Sequence, residues 1–252
     1  MIVETKDLGD GIRMLTLNRP PANAISRELI DGLSQACRAA REDQSVRAVI
    51  VTGAGKFFSG GVDLKQASSG ESRLGRFVGS EDDGVFALWT MPKPTVAMVN
   101  GHAIAGGVII ALACDFRIAV HHGIRFGLNE VAIGLPFPVG AFEIAKLALT
   151  NSQLRQAMLE AELCDPARAL ELGFVDELVA PELLETRSVE QARRLAKHGQ
   201  RAYAHTKSAI QRAAVARTLA QTDEEAREIG DISTSDESIR LIVAQVSAIS
   251  KR

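Results

Sequence analysis

Aromatic residues are scarce in this chain, 4% of 252 residues, with a single Trp (Trp89) and a single Tyr (Tyr203). An excess of one charge is missing too. The 29 Lys and Arg against 31 Asp and Glu leave a net charge of −2, so no basic field draws the chain to nucleic acid or to an anionic membrane. Cysteine is limited to Cys37, Cys114 and Cys164, an odd number without a CxxC pair. That argues against a zinc site or a disulfide framework and fits a reducing compartment. Apolar runs fall short of the roughly 20 residues that a membrane span needs. The N-terminal residues MIVETKDLGDGIRML carry acids and lack the apolar core of a secretory signal, so the expected address is the cytoplasm.

Two nucleotide-binding patterns are also absent. In VIVTGAGKFFSGG, Ile50 and Phe57 stand where a P-loop requires Gly and Ser or Thr, and Phe58 stands where a dinucleotide fingerprint requires its third Gly. With that pattern broken, Tyr203-Ala-His-Thr-Lys207 reads as chance helix surface rather than a dehydrogenase Tyr-x-x-x-Lys pair. The five histidines show no metal-ligand spacing, so no metal is expected.

What is present, 46% hydrophobic and 24% charged residues, describes a soluble globular protein of one large domain or a core with an appendage. The stretch VAMVNGHAIAGGVIIALACD, residues 96–115, organises it. It begins as an apolar strand, turns at Asn100-Gly101, passes Ala105-Gly106-Gly107 and runs apolar to Asp115. Glycines at the start of a buried helix allow close approach of a ligand and leave N–H groups at the positive end of the helix dipole. Before it come a strand at 12–17, a helix from 27 capped by Ser26, a strand at 48–51, a Ser/Gly-rich segment at 67–80 that reads as a mobile loop, and a short helix at 85–90. After it come strands at 116–120 and 174–179, short helices between them, and three helical patterns beyond Pro181. We place a soft division at residue 195, giving 1–195 as core and 196–252 as a helical region.

Three blocks in this order and spacing, FFSGGVDLK, VNGHAIAGGVIIALACDFRIA and RFGLNEVAIGL, resemble the signature of the crotonase (enoyl-CoA hydratase/isomerase) superfamily. The resemblance implies an α/β fold, a spiral of ββα units with C-terminal helices that build trimers or dimers of trimers. It implies an acyl-CoA substrate in fatty acid metabolism, with no separate cofactor because CoA belongs to the substrate. By the same resemblance the N–H groups of Val62 and Gly106 form an oxyanion hole for the thioester carbonyl. Gly60, Gly61, Asp63, Leu64 and Lys65 line the substrate path, with Lys65 toward the CoA phosphates.

The acids decide the reaction. The hydratase pattern carries a glutamate three residues beyond the oxyanion glycine, where this chain has Ile109; the second glutamate is kept as Glu130. Hydration needs two groups to manage water and the α-proton, whereas moving a double bond needs one base. The wording FGLNE is closest to the Δ3,Δ2-enoyl-CoA isomerase branch, so the expectation is an isomerase with Glu130 as its lone acid/base, its pKa raised by apolar neighbours; the alternative is another reaction of the same superfamily (enoyl-CoA hydration, thioester hydrolysis or decarboxylation) or a weakly catalytic acyl-CoA-binding protein. Glu143 reads as a helix-start acid. Leu195, Ile210, Val215, Leu219, Ile229, Ile242 and Val246 are expected at subunit contacts and at the far wall of the acyl pocket.

Overall fold

The computed structural model describes residues 1–63 and 83–250. Strands β1 (Val3–Asp7) and β2 (Ile12–Leu17) form an antiparallel pair, and β2 then runs parallel to β3 (Ala48–Gly53). Next come β5 (Thr95–Val99), β7 (Phe116–Val120) and β9 (Glu177–Val179), all parallel, in the order β1-β2-β3-β5-β7-β9. A smaller parallel sheet contains β4 (Phe57–Ser59), β6 (His102–Ile104) and β8 (Phe126–Gly127). Each turn of the chain therefore lays one strand in the large sheet and one in the small sheet before a helix: α2 (Gly84–Trp89), α3 (Gly106–Leu112) or α4 (Val139–Ala148). This is the expected spiral of ββα units. Parallel strands covered on both faces lose alternation, and β3 and β5 are buried at every position.

Helix α1 (Arg27–Glu42) begins where Ser26 accepts the Leu29 N–H, and it buries Leu29, Leu33, Cys37 and Ala40 along one stripe. Strand β1 escaped the sequence reading because only Val3 of its five residues is buried; an edge strand this polar has no apolar period. Helices α5 (Asn151–Arg155) and α6 (Pro166–Glu171) follow, and the strand expected at 174–179 is shortened to β9. The C-terminal part contains four helices rather than three: α7 (Leu184–Ala196), α8 (Gln200–Leu219), α9 (Asp223–Ser233) and α10 (Asp236–Ser250).

Residue 195 falls in the last turn of α7, a helix packed on β2, β3, β5 and β7. Arg47 donates two hydrogen bonds, of 2.9 and 2.7 Å, to the Ala196 carbonyl at its end. Helix α8 packs on α4, so the tail docks on its own core. For five of the seven apolar residues expected at subunit contacts, the packing is instead within the chain. Leu195 and Ile229 are buried within the chain, Val215 packs against the main core, and Ile242 and Val246 pack on Ile133 and Leu135. Ile210 and Leu219 alone of the seven are exposed, at 63% and 47%.

Candidate active site

Two glycine-bearing corners meet at the centre of the small sheet. Gly61 has φ +82°, and a Cβ there would lie 2.7 Å from the Ile104 carbonyl oxygen and 2.8 Å from the Ala105 Cβ. Only glycine permits this contact. Beside it, Ile25 donates its N–H to the Gly61 carbonyl (2.8 Å), and Asp63 donates its N–H to the Ile25 carbonyl (3.0 Å). A parallel bridge made by residues 61 and 63 turns the N–H of Val62 away from Ile25.

The second corner enters α3 through Ala105, at φ +53° and without a side-chain cap, so the first N–H groups of the helix are left for another partner. Gly107 presses on β4: a Cβ on it would meet the Ser59 carbonyl oxygen at 2.2 Å. Asn23 braces β4 and the turn before it. Its Nδ2 donates to the carbonyls of Ala54 (2.9 Å) and Phe57 (2.8 Å), while Ser59 Oγ donates to its own carbonyl (2.9 Å).

Val62, Gly106, Ile109 and Glu130 converge on a cavity of about 30 Å³, closed by Leu135, Ala141 and two prolines, and on the tail side by Ser233. Glu130 follows β8 and its carbonyl accepts the N–H groups of Ile133 (3.0 Å) and Leu135 (2.9 Å), which fixes the turn. The residue as a whole is only partly covered, but its Oε2 is shut off from solvent and has no hydrogen-bond partner among the described residues. Burial raises its pKa to about 8, against a smaller opposing effect of a backbone hydrogen bond. Ile109, 1% exposed, occupies the same space and brings no polar atom to it.

The other sequence candidates separate. Gly60 packs on Ala22 behind the cavity, with a would-be Cβ contact of 3.2 Å, and Gly61 forms the crossing described above. The Asp63 carboxylate is paired with Arg19 at 2.7 Å. Leu64, Lys65 and the loop read at 67–80 lie outside the described residues. Glu143 is not a helix-start acid: it lies in the middle of α4, is 7% exposed and contacts Lys146 Nζ at 3.3 Å.

Two residues dismissed at the sequence level are structural anchors. Tyr203 and Lys207 are not helix surface. Tyr203 donates to Asp115 Oδ2 at 3.0 Å, and Lys207, 7% exposed, reaches Oδ1 at 2.9 Å. Asp115 also accepts from the N–H (2.9 Å) and Oγ1 (3.1 Å) of Thr95. Asp115, Tyr203 and Lys207 border a larger cavity of about 520 Å³, and Asp115 Oδ2 is already engaged by Thr95, Tyr203 and Lys207. His102, His121 and His122 line a third hollow, of about 490 Å³. Among the described residues no cluster of three or more His, Cys, Asp or Glu is placed to hold a metal. No helix among them is long and apolar enough to cross a membrane.

Ser233 was not found from sequence. A serine in an acid-rich helix looks solvated, and nothing local says which cavity the helix reaches.

Comparison with known proteins agrees with this geometry. The enoyl-CoA hydratase/isomerase family model matches residues 7–242. Carnitinyl-CoA dehydratase of Salmonella arizonae is 36% identical over 183 residues, 72% of this chain and 69% of that protein. A Mycobacterium tuberculosis structure described as an enoyl-CoA isomerase is 33% identical with a TM-score of 0.79, covering 90% of this chain and 97% of that one. The human mitochondrial delta3-delta2-enoyl-CoA isomerase superposes with a TM-score of 0.91 over 100% of this chain and 99% of that one; at 24% identity the likeness concerns the fold. The small sheet, the paired glycine corners and the matched sequence together make one assignment: this chain is a crotonase-fold member of the enoyl-CoA hydratase/isomerase family.

Proposed function

We propose that the protein is an enoyl-CoA isomerase that moves a double bond from C3 to C2 of an acyl-CoA thioester, with Glu130 as its single acid/base. The observation that supports this is a cavity in which Glu130 is the one carboxyl group among the described residues and most of the lining is apolar, with Ile109 in the same lining where a second acid would serve hydration. The thioester oxygen accepts the N–H groups of Val62 and Gly106. Glu130 takes a proton from C2, and the electron pair spreads onto that oxygen as an enolate. Two preorganised donors stabilise such charge by about 3 kcal/mol or more. The π system then shifts, Glu130 returns the proton at C4, and the thioester carbonyl reforms. A base with its pKa near 8 is strong enough to accept the proton at neutral to mildly alkaline pH. In this reading residues 60–65 line the substrate path, Lys65 reaches the CoA phosphates, and CoA enters and leaves as part of the substrate.

Incubation with a 3-enoyl-CoA, with the products identified, should give the 2-enoyl-CoA. Glu130→Gln keeps size and polarity but removes the base, so it should slow turnover by at least ~10²-fold while acyl-CoA binding persists. A Glu130→Gln enzyme as fast as the parent would overturn the mechanism. Assembly as a homotrimer or a dimer of trimers belongs to the same proposal, supported by the exposed apolar residues Ile210, Leu219, Ile239 and Val243. Light scattering that finds only monomer at high concentration would refute it.

A further inference from the structure

His121 and His122 are neighbours in the chain, and neighbours on an extended strand point to opposite faces, so their spacing carries no metal signal in the sequence. In the fold β7 ends at Val120, and the chain bends through His121 and His122 to Gly123, at φ +77°. The bend turns both exposed rings to the same side. Their centroids lie 4.4 Å apart with the planes at 77°, and His122 Nδ1 is 3.3 Å from His121 Nε2. Two imidazole nitrogens therefore meet beside the hollow that both residues line with His102, Arg125 and Asp165.

His121 is also held in place. Its backbone N–H and its ring Nδ1 both reach the Val179 carbonyl, each at 2.9 Å. A carbonyl only accepts, so Nδ1 carries the ring hydrogen and Nε2 keeps its lone pair. A ring N–H given to a backbone carbonyl is the support that orients a metal-ligating histidine. A Zn²⁺ ion at roughly 2.0–2.1 Å from each of two nitrogens 3.3 Å apart subtends an angle of about 104–111°, which is tetrahedral. A right-angled pair at the same bond length would stand about 2.9 Å apart. His102 does not join them, because its Nδ1 already accepts the Arg125 N–H at 3.0 Å. The Asp165 carboxylate in the same hollow offsets the charge of Arg125.

We propose that His121 Nε2 and His122 Nδ1 chelate one Zn²⁺ ion, with water completing the tetrahedron, at a surface site outside the catalytic cavity. The ion takes the place of the hydrogen that the two nitrogens share. His122 carries that hydrogen on its Nε2 instead, so both rings stay neutral and no net proton is released. Two protein ligands rather than the four of a structural site make the ion exchangeable. Imidazole nitrogens favour a transition-metal dication over Mg²⁺ or Ca²⁺, which take oxygen ligands. The bound ion holds His121 in the orientation that donates to Val179, and so stabilises the pairing of β7 with β9. None of these residues lines the Glu130 cavity, and the inference stands apart from the proposed reaction.

Calorimetric titration of the chelator-stripped full chain with ZnCl₂ at neutral pH tests this. One ion per chain is expected, and a large excess of Mg²⁺ should not compete. His121→Ala and His122→Ala should each weaken binding about tenfold or more, whereas His198→Ala, on another part of the surface, should bind as the parent does. Zn²⁺ should raise the melting temperature of the parent but not that of His122→Ala, a change at an exposed residue that leaves the Val179 hydrogen bonds in place. A parent that binds no Zn²⁺ would overturn the proposal. So would binding that survives the double substitution, or a loss confined to one of the two single variants, since a chelate needs both rings.

Discussion

Two partly covered carboxyl groups of this fold, Asp115 and Glu130, are treated in opposite ways. Asp115, at the end of α3, is held by Thr95, Tyr203 and Lys207, and through them it ties the long helix α8 to the large sheet. Glu130, on the turn after β8, has an oxygen with no partner among the described residues, in a wall of Ile109, Leu135 and Ala141. A carboxylate surrounded by donors serves as a joint. One left dry and unpaired holds its proton to unusually high pH and is available to exchange it. The larger cavity lies beside the joint and the smaller beside the unpaired acid.

If the contrast holds, removing the joint should hurt folding most. Asp115→Ala leaves Lys207 buried without its counter-charge and should cost about 3–5 kcal/mol in denaturant unfolding. A loss below about 1 kcal/mol would mean that the pair is incidental.

The second effect in size is on rate. Isomerisation should fall about tenfold per pH unit below the Glu130 pKa of about 8, hence roughly 100-fold between pH 8 and pH 6. A kcat/KM that stays flat from pH 8 to pH 6 would show that another group is the base.

The third sharpens the comparison through stability. Glu130 in the folded chain keeps its proton from the ordinary glutamate value of 4.5 up to about 8, whereas in the unfolded chain it is lost near 4.5. Its contribution is therefore full below 4.5 and disappears as pH rises through 8. Glu130→Gln, which cannot ionise, should gain stability over the parent at pH 9, on the order of 2 kcal/mol, and little at pH 5. Thermal melts at the two pH values measure it; equal melting shifts at both would contradict a dry Glu130.

The smallest effect is expected at Tyr203→Phe. It deletes one of several hydrogen bonds to Asp115 and should cost about 1 kcal/mol without moving the pH-rate profile. A shifted profile would show that the two carboxyl sites are coupled.

The elements most legible in the sequence were those whose signal is local. Ser26 announced α1, and Thr95–Val99 and Phe116–Val120 stood out as apolar runs. Gly106-Gly107 marked a helix start that something must approach. Strand β1 was hidden by its polar edge, and β8 by its length of two residues. The convergence of Val62, Gly106, Ile109 and Glu130 followed from ordered motifs, each of which carries its own geometry.

Tyr203 and Lys207 were misread for a different reason. Their spacing on a helix is the same whether the face meets water or Asp115, and the partner lies 88 and 92 residues away. Ser233 was unreadable on the same ground.

By itself, then, the sequence determined the residue chemistry of this site: one ionisable group, glycines where backbones touch, and no second acid at Ile109. Tertiary structure decided which carboxyl group is bound and which is left dry, and it brought Ser233 into the cavity with Glu130. Burial and pairing are sums over residues distant in the chain, and no local pattern encodes them.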